Sequence, residues 1–97
     1  MRENKFDIKN FVDVETEQAV ITELVKRVKL RRKDLGISQQ LLATRSGVSY
    51  GSVRRFESTG DISLTSLLKI GEALEALSDF NQLFKGRRVK SLKDLKL

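Results

Sequence analysis

The sequence predicts an all-α domain, and three observations carry that prediction. The chain has no proline, so nothing in it forces a helix to break. From position 15 onward its apolar residues recur at helical rather than alternating spacing. Serines precede these runs and glycines follow them, the order expected of helix caps and helix stops. The 97 residues suffice for one compact domain with a small core. We expect that domain at 15–84, between an N-terminal arm at 1–14 and a basic tail at 85–97.

The first helix is expected from about Glu15 to Leu35. Val20, Leu24, Val28 and Leu35 fall near one stripe, and Gly36 stands just past the end. Ser38 is placed to cap a second helix, QQLLATR, which stops at Ser46-Gly47, where glycine can take the positive φ that reverses the chain. Ser49 sits at the N-cap of a third helix, YGSVRRFES, with its hydroxyl accepting from the backbone N–H of Gly51 or Ser52. On that helix Val53 and Phe56 point inward, while Tyr50, Gly51, Arg54 and Arg55 lie on or around the outward side. After the loop TGDI, Ser63 caps a fourth helix whose Leu64, Leu67, Leu68, Gly71, Leu74 and Leu77 form the clearest amphipathic pattern in the chain. Ser78 is expected to cap a short fifth helix that returns Phe80, Leu83 and Phe84 to the core.

The ends are less regular. FDIKNFVDV, within 1–14, is compatible with a strand, a helical turn or an arm. In the tail, Val89, Leu92 and Leu95 recur at spacing three, which allows a helix to form on binding a partner.

Composition excludes several functions. GVSYG at 47–51 fits the G-x-S-x-G pattern of hydrolase nucleophiles, but the chain has no histidine and no cysteine. Ser49 therefore has no imidazole to take its proton, and a helix-like run precedes it where the hydrolase motif needs a strand. We expect no enzyme. The usual zinc and iron ligands are missing too. Glu72, Glu75 and Asp79 lie at helical spacing, but no loop adds the oxygen ligands a hard cation needs, so they read as a solvated acidic face. We expect neither a metal nor another cofactor. No apolar run is long enough to span a membrane, and MRENKFDIKN lacks the apolar core of a signal peptide. A cytoplasmic location without membrane contact is expected.

The net charge of +6 and a pI near 9.9 invite a polyanionic partner. Most of the excess sits in the tail, where Lys85, Arg87, Arg88, Lys90, Lys93 and Lys96 face only Asp94. Two further patches, KRVKLRRK at 26–33 and RSGVSYGSVRR at 45–55, lie in the helical region. The first is read mainly as a solvated face, with Glu23 four residues before Arg27 and with Lys29 and Lys33 as candidate phosphate contacts.

Two short helices joined by a glycine-containing three-residue turn, with a basic outward face on the second, describe a helix-turn-helix. In that geometry Ala43 is small because the second helix packs across it. Gly47 turns the chain, Val48 fills the gap between helices, and Val53 anchors the second helix. RRKDLGISQQLLATRSGVSYGSVRRFE followed by ISLTSLLKIGEALEAL resembles the Cro and phage-repressor helix-turn-helix family, also called Xre-like, over residues 28–77.

The resemblance implies a five-helix lambda-repressor-like DNA-binding domain that acts as a homodimer on double-stranded DNA with a palindromic operator. It implies that Gln39 hydrogen-bonds a phosphate and that Ser49, Tyr50, Gly51, Ser52 and Arg55 face the major groove, with Arg54 reaching the backbone. It also implies a structural ion pair between Arg32 and Glu57. Relatives commonly place a long polar side chain where Gly51 stands. This glycine is either tolerated near the helix start or allows close approach to DNA. The expected function is transcriptional repression by promoter occlusion. The alternative is an antitoxin that autorepresses its operon and binds a protein toxin partner, and a non-DNA-binding adaptor is a third class.

Overall fold

The structure, a computed structural model, describes residues 16–86. The expected arm at 1–14 lies outside the described residues, as does the tail from 87 onward with Val89, Leu92 and Leu95. Four α-helices and one 3-10 helix follow in order: α1 Glu17–Asp34, α2 Gln39–Ser46, α3 Tyr50–Thr59, α4 Leu64–Ala73 and the 3-10 helix Leu77–Gln82. Among the described residues there is no strand and no helix long and apolar enough to cross a membrane.

Each α-helix begins on a hydroxyl residue that satisfies an N–H which the helix itself leaves unpaired. Thr16 accepts from Ala19, Ser38 from Leu41, Ser49 from Ser52 and Ser63 from Ser66, at 3.0–3.1 Å. Three exits use a left-handed glycine: Gly36 follows α1 with φ 72°, and Gly47 and Gly60 end α2 and α3 with φ 80° and 84°. The end of α4 differs. Ala76 N–H reaches back to Gly71 C=O at 2.8 Å, and Glu75, not a glycine, takes the positive φ of 60° between them.

The core comprises Ile37, Leu42, Val48, Val53, Phe56, Ile70 and Leu74, with Val25, Val28, Leu41, Ala43, Ile62, Leu67 and Ala73 around it. On α1 this corrects the expected stripe. The helix presents Val25, Val28 and Arg32 inward, while Val20 and Leu35 are exposed. Positions 25, 28 and 32 share a helical face, but the last is charged, and an apolar periodicity passes over it.

The fourth helix is also shorter than its pattern. Leu67, Ile70, Gly71 and Leu74 face the core, whereas Leu64 and Leu77 are exposed. Arg31 Nη1 donates to the Leu74 carbonyl at 3.1 Å, tying α1 to the end of α4. Beyond it, Ser78 lies inside the 3-10 helix and caps nothing, since the residue before that helix is Ala76 and no side chain bonds there. At three residues per turn, Leu77, Phe80 and Leu83 form one ridge. Only Phe80 is partly buried. It lies over Gly71, where a Cβ would come within 2.5 Å of its ring. Leu83 is exposed and Phe84 fully so, at a positive φ of 62°. The expected return of Leu83 and Phe84 to the core therefore does not occur.

Candidate nucleic-acid interface

α2, the turn Gly47-Val48-Ser49 and α3 form one unit. Val48 is buried in the turn, Leu42 in α2, and Val53 and Phe56 in α3. Ala43 N-terminal to the turn receives the Gly47 N–H at 2.9 Å, and the Ser46 hydroxyl accepts the Val48 N–H at 3.1 Å. This leaves one face of α3 committed to the core and the other, with Ser49, Tyr50, Gly51, Arg54 and Arg55, exposed to solvent.

A buried polar cluster joins that unit to α1. Arg32 Nε and Nη2 donate to Glu57 Oε2 and Oε1 at 2.8 and 2.9 Å, and its Nη1 donates to the Ile37 carbonyl at 2.9 Å. Gln39 Nε2 donates to Glu57 Oε1 at 2.8 Å. The pair is well enclosed, with side-chain exposures of 10% for Arg32 and 3% for Glu57. Burial raises the Glu57 pKa, but the hydrogen bonds from Arg32 and Gln39 and the nearby charges of Arg32 and Lys29 outweigh it, leaving the pKa below the usual carboxylate value. The first residue of α2, the end of α1 and the last turn of α3 thus share one carboxylate.

Gln39, Gly51, Arg54 and Arg55 line an open cleft of about 640 Å³ together with Lys29, Glu57 and Ser58. Ser49, Tyr50 and Ser52 lie outside that lining, toward the N-terminus of α3. The Ser49 hydroxyl accepts the Ser52 N–H and donates to Ser52 Oγ at 2.8 Å, so its proton is already engaged within the helix. The Arg54 guanidinium stands 5.5 Å from the Tyr50 ring centroid, a cation–π contact on the surface. A Cβ added at Gly51 would meet nothing within 4 Å. No packing within the chain demands glycine there.

Two features were not legible in the sequence. Gln39 is anchored on Glu57, a contact across 18 positions that only folding creates. Arg55 Nε lies 3.3 Å from Asp61 Oδ2 in the loop after α3, a spacing of six that no helical pairing rule marks. On α1, Arg27 and Glu23 approach to 3.9 Å, an exposed pair. Glu72, Glu75 and Asp79 are all exposed.

Residues 28–78 match a protein-family model described as Helix-turn-helix. The match takes in more than half of the chain, from the end of α1 into the 3-10 helix. No curated protein and no solved structure matches the chain.

Proposed function

Because the chain belongs to the helix-turn-helix family found in Xre-like and phage repressors, and is thus a DNA-binding transcription regulator, we propose that it is a repressor that binds a palindromic operator as a homodimer. The observation that carries this reading is the outward face of α3. It holds two arginines and a tyrosine around a glycine that the chain's own packing does not require. A helix backbone bare at Gly51 can approach a groove closely, and arginine can pair with guanine through two donors.

In this reading Ser49, Tyr50, Gly51, Ser52 and Arg55 face the major groove, while Arg54 contacts the backbone. Ser49 holds the helix start, leaving its oxygen free to accept one further bond. Gln39 donates one amide proton to Glu57 and keeps the other for a phosphate oxygen. The Arg32–Glu57 pair is structural, fixing α3 against α1. The exposed Leu77, Leu83 and Phe84 support a protein partner at the 3-10 helix and the residues after it, in the first place a second copy. A two-fold dimer places half-sites about 34 Å apart. We assign it to the cytoplasm, where its DNA target lies.

The test is selection of operators from a random DNA pool by wild type and Arg55→Ala at one fixed salt concentration. Wild type is expected to enrich paired half-sites, and the variant to lose preference at one base position per half-site. Failure of the wild type to enrich any sequence overturns the repressor reading. A variant with unchanged preference moves the base contacts to Tyr50 and Ser52.

The same exposed apolar residues support a second reading, an antitoxin that represses its own operon while docking a toxin. Stable co-purification with the product of an adjacent reading frame, lost on Phe84→Asp, is the result that promotes it over the first.

A further inference from the structure

We propose that Asp61 is a positioning residue for base recognition, holding Arg55 so that its two terminal nitrogens, and not its Nε, are offered to DNA. The proposal rests on the reading above, in which Arg55 contacts a base.

The loop that carries Asp61 is tied in place from both sides. The Thr59 hydroxyl donates to the Arg55 carbonyl at 2.8 Å and accepts the Asp61 N–H at 3.1 Å. The Ser58 hydroxyl donates to the same carbonyl at 3.2 Å. Between them Gly60 takes φ 84°, and its α-carbon packs so closely on Ile21 of α1 that a Cβ there would overlap the Ile21 side chain. The last turn of α3 and the wall of α1 thus set where Asp61 emerges. It emerges with its carboxylate 3.3 Å from Arg55 Nε.

Both partners of this pair are 68% exposed, and an ion pair in that setting adds little to stability. Its effect is on geometry. A guanidinium has five N–H donors in a fixed plane, and the Asp61 carboxylate, within ion-pair distance of Nε, stands beside one edge of that plane. The two Nη groups remain, spaced to meet the O6 and N7 acceptors of guanine. The negative charge also acts on the phosphate backbone. An Arg55 free of Asp61 can swing to any phosphate within reach, gaining affinity without sequence information. A fixed carboxylate beside it repels phosphate oxygens and disfavours that alternative. Asp61 therefore gives up some affinity and gains selectivity.

The experiment compares wild type, Arg55→Ala and Asp61→Asn in selection from a random DNA pool, with affinities for selected and random DNA measured at one salt concentration. Thermal melts confirm that each variant is folded. Asp61→Asn is expected to bind random DNA as well as or better than wild type. It is also expected to lose preference by roughly fivefold or more at the same base position that Arg55→Ala relaxes, the lower end of what one bidentate guanine contact discriminates. If Arg55→Ala relaxes one position and Asp61→Asn relaxes none, the proposal is overturned while Arg55 keeps its role. If Asp61→Asn weakens binding to all sequences equally, the proposal is likewise overturned, since the residue then serves affinity. If Arg55→Ala relaxes no position, the underlying reading of Arg55 fails, and the role of Asp61 fails with it.

Discussion

Two arginine–carboxylate pairs, one at each side of α3, use the same chemistry in opposite surroundings. Arg32 and Glu57 are enclosed, meet through two hydrogen bonds, and share their remaining capacity with Ile37 and Gln39. Arg55 and Asp61 stand in solvent at 3.3 Å. A buried charge that loses its partner has no water to turn to, so the first pair is obligatory for the fold. An exposed charge is rehydrated at once. The second pair can therefore hold its geometry at little cost in stability while the Nη groups of Arg55 stay open to another ligand, which is what a recognition surface requires and a core does not tolerate.

The largest expected effect tests the enclosed pair. Arg32→Ala or Glu57→Ala is expected to destabilise the domain by about 3 to 5 kcal/mol. In a domain of this size that lowers Tm by more than about 12 °C or unfolds it outright. Melts of both variants within a degree of wild type break the contrast, because the pair then behaves as if exposed.

Next comes the solvent pair, whose removal is read in DNA binding rather than in stability. Arg55→Ala is expected to weaken the selected operator by about 1 to 3 kcal/mol. Its Tm is expected to stay within about 4 °C of wild type. A large fall in Tm with unchanged operator affinity would reverse the assignment of the two pairs.

Acid sharpens the comparison. The Glu57 pKa is held below its ordinary value in the folded state, so its contribution to stability is fully present above the unfolded-state carboxylate range. That contribution is lost as pH falls through the depressed folded value. Chemical denaturation between pH 7 and pH 3 is expected to show a stability loss that Glu57→Gln largely removes from the pH dependence. Equal acid profiles for wild type and Glu57→Gln would show that Glu57 does not carry the linkage.

The smallest effect lies at Gly51. Alanine fits there without a neighbour inside 4 Å and favours a helix, so Gly51→Ala is expected to raise stability by less than about 1 kcal/mol. If the backbone approaches DNA at this point, the same change lowers operator affinity. A variant both more stable and equally tight would leave Gly51 as a tolerated residue.

Among the described residues, the helix boundaries legible in advance are those written in single residues. Ser38, Ser49 and Ser63 cap, and Gly36 and Gly47 mark ends, because a cap is a bond across three positions and a left-handed turn is a property of one. Where that signal is absent, apolar spacing runs past the end of the helix. Glu75 occupies the left-handed position after α4 that glycine marks elsewhere, and the leucine spacing carried the expected helix on to Leu77. The rotation of α1 departs from the expected stripe for a related reason: its inward face carries Arg32, and an apolar periodicity does not register a charged position even where the family resemblance implies its pairing with Glu57.

The sequence by itself determined the all-α class, the helix-turn-helix spacing and the outward chemistry of α3, since each depends on contacts within about one turn or on the periodicity of a single helix. Only the tertiary structure decided that Glu57 serves Arg32 and Gln39 together, that Phe84 stays outside while Phe80 lies over Gly71, and that Asp61 meets Arg55. Each of those outcomes depends on the distance and angle between segments. These are set by how α1, α3 and α4 pack and by which groups, once enclosed, have no water left to bind.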